Sequence, residues 1–201
     1  MGPVQLQLQL LVVLVLSAAV SVLANIALAG PYSVDLEEFS PCDGIGSLSI
    51  DFNVKLVSKD GRTVYDGNMT FPYDLDDENL LTNVKTYMWG STGGWGELYN
   101  VTHYDLIRYM MNNFPNVFAI FFGPMGITGK PVPVGTYHIE NFRPTGFKLK
   151  KMDALMFGCY KLMAIQSKDD VDLGCLQFIT YVKEDASVVP ADKMSGTPNN
   201  G

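Results

Sequence analysis

Charge is missing from the start of this chain: residues 1–29 contain no Asp, Glu, Lys or Arg. Within them, residues 10–22 form a nearly unbroken apolar run, and Ala27-Leu28-Ala29 fits a small-x-small cleavage pattern. We read residues 1–29 as a signal peptide cut after Ala29. A membrane anchor is the alternative, although the run is shorter than the ~20 apolar residues that a span needs. No later stretch is long and apolar enough to span, so the mature chain is expected to be soluble and secreted, extracellular or lysosomal. Histidine is almost absent as well. His103 and His138 are the only two, and no HExxH, Gly-x-Ser-x-Gly or zinc-type Cys/His spacing surrounds them. A triad assembled by folding need not show in sequence order, yet no pattern points to one. The expectation is therefore a protein that is not an enzyme, with no metal and no cofactor.

Positive charge is scarce too. Lys and Arg number 14 against 21 Asp and Glu, for a formal net charge of −7 that lies wholly after the leader. Such a balance argues against nucleic acid as a partner and against electrostatic attachment to anionic bilayers. Gly90, Gly93, Gly94 and Gly96 lack the dinucleotide-binding spacing, and no helix follows them to hold a phosphate. The acidic run at residues 74–78 lacks the glycine and the bidentate acid of a calcium loop, so it reads as a solvated loop. Three cysteines is an odd number for an oxidising compartment, which suggests one bridge and one free or intermolecular thiol. Both Cys42 and Cys159 are candidate partners for Cys175.

What is present is pleated-sheet sequence. About 170 residues follow the leader, enough for one domain with a core of its own. Residues 48–57 alternate strictly, with Leu48, Ile50, Phe52, Val54 and Leu56 on one side, and Lys59-Asp60-Gly61 then supplies a turn into a returning strand at residues 63–73. Residues 31–39 read as a half-buried first strand, and residues 84–89 and 95–101 as a pair joined by the glycine-rich turn. Residues 129–142 read as a Pro-rich entry to a further strand, with a short extended piece at 147–149. The two apolar runs 157–165 and 173–182 flank polar residues 167–170 and predict a hairpin covered on both faces. One amphipathic helix is expected over residues 104–114, where Leu106, Ile107, Met110, Met111 and Phe114 recur at helical spacing behind Thr102 and Asp105, which resemble a capping box.

Residues 115–126, PNVFAIFFGPMG, concentrate Val117, Phe118, Ile120, Phe121 and Phe122 between Pro and Gly brackets. A core strand or the end of the helix is one reading. The other is an apolar flap that lines a greasy cavity or dips into a membrane surface. Asn68-Met69-Thr70 and Asn100-Val101-Thr102 match the N-glycosylation acceptor, so Asn68 and Asn100 are candidate glycan sites. Residues 185–201 are polar and are expected to be a disordered tail. These readings together predict a mainly β fold with one short helix, a β container that binds something apolar.

The C-terminal half narrows this. Pro131-Val132-Pro133-Val134-Gly135-Thr136-Tyr137, then Gly158-Cys159-Tyr160-Lys161-Leu162, then Leu173-Gly174-Cys175 resemble, in that order, the closing strands of the ganglioside-activator proteins of the ML lipid-recognition superfamily. The step Phe39-Ser40-Pro41-Cys42 resembles the family's first cysteine, and the overall look is closest to secreted, chemosensory relatives in arthropods. The resemblance covers about 50 residues. It implies an antiparallel β-cup or β-sandwich with an apolar cavity for lipid acyl chains over residues 30–184, and a bridge between Cys42 and Cys175 that leaves Cys159 free. Ganglioside activators carry further disulfides, one of them where this chain has Gly129-Lys130-Pro131, so glycolipid specificity and enzyme partnership do not carry over. The expectation is a secreted carrier of a lipid or lipid-like hydrophobic molecule. Trp95, Leu106, Met110, Phe114, Phe118, Phe121 and Phe122 are the candidates for its wall or mouth. The alternative is an accessory module that binds a receptor or a lipid-processing enzyme, with an exposed apolar patch as its interface.

Overall fold

The computed structural model describes residues 29–43, 50–185 and 187, so the proposed leader up to residue 28 and nearly all of the proposed tail lie outside the described residues, while Ala29 falls within them. Ten strands are formed: β1 (Ala29–Gly30), β2 (Tyr32–Pro41), β3 (Asp51–Lys59), β4 (Arg62–Phe71), β5 (Leu81–Trp89), β6 (Trp95–Tyr104), β7 (Gly135–Phe142), β8 (Leu155–Met156), β9 (Gly158–Lys168) and β10 (Val171–Glu184). Two helices, α1 (Leu106–Asn113) and α2 (Pro115–Phe122), lie between β6 and β7. All pairings are antiparallel. One sheet has the order β2-β10-β9-β5-β6, a second has β3-β4-β7, and β1 pairs with β8. No described helix is long and apolar enough to cross a membrane.

The hairpins follow their turn residues. Asp60 and Gly61 between β3 and β4, and Asp169 and Asp170 between β9 and β10, all adopt positive φ. A two-residue connection with that handedness matches the twist of the strands it joins. The predicted hairpin at residues 157–182 is thus β9–β10, and it forms the middle of the larger sheet.

The two sheets face each other across one main core. Leu36 and Phe39 come from β2, Val54 from β3, Tyr65, Met69 and Phe71 from β4, and Ile139 and Phe142 from β7. Phe39 is its aromatic centre: its ring stacks on Phe178 at 5.0 Å and meets Phe52, Tyr65 and Phe142 edge-on. Gly174 makes close approach possible at one end, because a Cβ there would sit 2.7 Å from both Ile50 and the Tyr73 hydroxyl. Next to it, Cys175 is bridged to Cys42 across 133 residues, with Cα atoms 5.3 Å apart. Cys159 is the free thiol among the described residues. It is half-buried, and that burial, helped by the charge of Glu37, pushes its thiol up and makes it a weaker nucleophile.

The helical region departs from the single helix expected. Pro115 cannot continue α1, because its ring excludes the helical conformation at the residue before it. Phe114 accordingly takes φ −135°, and the proline opens a second helix. The segment read as strand, helix end or flap is therefore α2, closed by a 3-10 turn at Gly123–Met125 and by Gly126 at φ 75°. The cap of α1 also differs: Asp105 itself caps, accepting from the Arg108 amide at 3.1 Å, while Thr102 stays in β6 and accepts from Asn83.

Candidate functional site

Registers across the larger sheet place Phe39, Phe178, Leu162, Thr86 and Tyr99 in one row, from β2 to β6. The neighbouring row runs Leu176, Ala164, Val84, Val101. Directly opposed residues in an antiparallel sheet share a face, so both rows lie on the face that carries the core. Exposure rises along them. Phe39 is 5% exposed, Leu162, Thr86, Ala164 and Val84 are half-buried, and Val101 and Tyr99 reach 46% and 63%. Cover is thus fullest over β2 and β10 and thins toward β6, where Tyr99 and Val101 are exposed, although Thr82 of β5 on the same face is buried.

Helix α1 reaches β6 at this side of the sheet, and α2 packs farther in. On α1, Ile107 is buried and Met110 and Met111 pack on the main core, while Tyr109 lies against His103 of β6 with ring centroids 4.1 Å apart. Phe114 lies 6.0 Å from Tyr109, outside the main core. On α2, Phe118 is buried and stacks on Phe122 at 4.9 Å, and Phe121 meets Phe142, Phe147 and Phe178 edge-on. Val117 and Ile120 are half-buried, and of α2 only Pro115 and Ala119 are exposed.

Six of the seven residues expected at a wall or mouth are therefore brought together. Leu106, Met110 and Phe114 stand on α1 and its end, and Phe118, Phe121 and Phe122 on α2. Four of them, Met110, Phe118, Phe121 and Phe122, fill the space between the sheets. Trp95 is elsewhere. It lies on the opposite face of the larger sheet at the tip of the β5–β6 hairpin, 5.2 Å from Trp89 and with the Lys161 ammonium 4.9 Å over its ring. Sequence reasoning did not single out Val84, Leu162, Tyr99 and Val101, which share the core face of the larger sheet. Alternation of Tyr99 and Val101 with Asn100 and Thr102 was the available signal, but it does not say which face is covered.

The helix pair is tied down at its start by charge. Asp105 accepts from Lys130 Nζ at 2.7 Å and pairs with Arg108 Nε at 3.0 Å, and Lys130 also reaches Asp76 at 3.8 Å. Burial works to raise the Asp105 carboxyl, but the hydrogen bonds from Lys130 and the Arg108 amide, with the charges of both residues, outweigh it and hold it below its ordinary value. The acidic run is more than a solvated loop. Asp74 and Asp76 accept from the amides of Val134 and Val132 at 2.7 and 2.9 Å, and so fix the segment that leads from the helices into β7.

Two shallow depressions lie elsewhere on the surface. One, of about 330 Å³, is bounded by residues 126–131, Pro133 and Tyr137, and the other, of about 250 Å³, by Pro31, Tyr32, residues 148–150, Met152 and Asp153. Neither contains any of the seven expected residues. Among the described residues there is no cluster of three or more His, Cys, Asp or Glu side chains that would hold a metal ion. Asn68 and Asn100 are both exposed, Asn68 on the central strand β4 and Asn100 on the edge strand β6. No family model matches this chain, and no curated protein matches it.

Proposed function

We propose that this chain is a secreted carrier of the ML lipid-recognition type, which takes a lipid or lipid-like hydrophobic molecule for transfer or presentation. The ligand lies in a shallow trough along Tyr99 and Val101 of β6, beside α1. The observation that carries this reading is the graded row from Phe39 to Tyr99, interrupted only by Thr86: buried core side chains lead across the sheet to exposed apolar ones. Each methylene of an alkyl chain laid there contributes ~0.8 kcal/mol, so affinity needs few polar contacts. Outward movement of α2 lets the chain reach the space that Phe118, Phe121 and Phe122 now fill.

Native mass spectrometry of the secreted protein, followed by solvent extraction, tests the proposal. Co-purifying fatty acid, phospholipid or another apolar small molecule is expected. It should be lost when Tyr99 and Val101, both exposed and so tolerant of substitution, are changed together to Asp. An apo mass throughout, with no uptake of offered lipids, would overturn the carrier reading. The second reading is an accessory module for a protein partner, favoured by the aromatics Trp89 and Tyr104, exposed on the opposite face of the same strands. In that case changes at Trp89 and Tyr104, not at Tyr99 and Val101, abolish partner binding.

A further inference from the structure

The larger sheet has two edges, and the chain treats them differently. Along β2, residues 144–147 supply backbone hydrogen bonds: the amides of Val34 and Leu36 donate to the carbonyls of Phe147 and Pro144 at 2.8 and 2.9 Å, and the Phe147 amide donates back to Val34. That edge is sealed. Along β6, among the described residues, no backbone bond beyond the β5 ladder is made. Edge strands of this kind template pairing with another chain unless they are charged, bulged, interrupted by proline or covered. In the first half of β6 a register shift interrupts the ladder opposite Thr86 and Tyr87, and Glu97 adds a charge. The second half, Tyr99-Asn100-Val101-Thr102-His103-Tyr104, is regular, contains no Pro, Lys, Arg, Asp or Glu, and exposes Tyr99, Val101 and Tyr104. The edge strands of the other sheet are better protected: β3 carries Asp51, Lys55 and Lys59, and β7 carries Glu140.

The glycosylation acceptor Asn100-Val101-Thr102 falls in the middle of that unguarded half. We propose that Asn100 carries an N-linked glycan which covers the free edge of β6, and that without it the chain associates with itself along this strand. The local chemistry suits the modification. Asn83 Nδ2 donates to Asn100 Oδ1 at 2.8 Å and to Thr102 Oγ1 at 3.1 Å, while Asn100 Nδ2, the atom that is glycosylated, makes no hydrogen bond among the described residues. The donor is an oligosaccharide linked through pyrophosphate to a lipid. Asn100 Nδ2 attacks its C1, the C1–O bond to the pyrophosphate breaks, an N–C1 bond forms, and Nδ2 gives up one proton to the medium. Asn100 and Thr102 lie on the face opposite to Tyr99 and Val101, so the glycan leaves the trough open. Asn68 is the internal comparison. It lies on the central strand of its sheet, where both neighbours are already paired and its side chain is hydrogen-bonded to His138 at 3.0 Å, so a glycan there guards no edge.

The proposal rests on export, which is tested separately by expressing the chain behind its own leader, and residues 30–201 behind an established one, in a glycosylating cell. A mass decrease on amidase treatment that is missing in Asn100→Gln shows occupancy. Sedimentation velocity then compares the wild type, Asn68→Gln, Asn100→Gln and Asn100→Lys. Asn100→Gln is expected to move to the dimer or larger species. Asn68→Gln and Asn100→Lys should remain monomers, the lysine supplying the guard that the glycan no longer gives. Trimming the glycan of folded wild-type protein to its first sugar with an endoglycosidase, which leaves Asn100 uncharged, repeats the test without a folding step. An unoccupied Asn100 in protein exported by the established leader, or an Asn100→Gln protein that stays monomeric, would overturn the proposal. Failure of the chain's own leader alone overturns only the export reading.

Discussion

Phe121→Ala asks whether the helix pair is part of the folded core or a loose cover over it. The Phe121 ring centroid lies 5.6 Å from Phe142, 6.0 Å from Phe147 and 5.2 Å from Phe178, with interplanar angles of 68°, 84° and 88°. It therefore joins α2 to β7, to the segment that seals β2, and to β10 at once. A fully buried Phe→Ala change costs about 3–5 kcal/mol, and because Phe121 is half-buried a loss of about 2–3 kcal/mol is expected. With a urea m-value of ~2 kcal/mol/M, this lowers the unfolding midpoint by about 1–1.5 M. The measurement is equilibrium unfolding in urea with the disulfide intact, followed by fluorescence and circular dichroism together. A bound alkyl chain should fill part of the void, and ligand at 100 times its Kd adds about 2.7 kcal/mol, enough to bring the variant back to the unliganded wild type. A midpoint shift below about 0.25 M would refute the reasoning, since α2 would then contribute almost nothing to the packed interior.

Two other outcomes follow from the same contacts. Cys42→Ser opens a loop spanning 133 residues, and by chain entropy the stability loss approaches about 5 kcal/mol; unfolding of the variant against the oxidised wild type reads it. Asp105→Asn keeps a capping oxygen but removes the charge that meets Lys130 and Arg108. The folded carboxyl lies below its ordinary 3.8, so its stabilisation is full above that pH and is lost as pH falls through the lower folded value. The variant should be less stable than the wild type by about 0.5–1 kcal/mol near neutrality. Its thermal midpoint should fall less than the wild type's below about pH 4. Equal slopes on the acid side would show that Asp105 carries no such linkage.

Much of the architecture was legible because strand signals are local. Period-two alternation at residues 50–56, the Asp60-Gly61 turn and the paired apolar runs around Asp169-Asp170 act over a few residues, and each appears as a hairpin. The boundary between two helices was harder. Pro115 is a clear helix breaker, yet a proline at the first position of a new helix and one at the start of a strand look alike until the chain around them is placed. The disulfide was legible through the resemblance alone, since spacing left Cys159 equally open and only the Cα separation of 5.3 Å between Cys42 and Cys175 decides it.

The candidate site divides the same way. Residue types determined by themselves that α1 would be amphipathic and the segment forming α2 apolar, that the β strands would be two-faced, and that Asn100 would sit in an acceptor motif. Which of those apolar side chains are enclosed was decided by the pairing of distant strands. Trp95 and Tyr99 are four residues apart on one strand, but the shifted ladder opposite Thr86 and Tyr87 places them on opposite faces. The first meets Trp89 and Lys161, and the second opens beside the helices. Alternation says only that two faces exist. Coverage by the second sheet, which reaches Phe39 and stops short of Tyr99, is a long-range property that exists only once the sheets have packed.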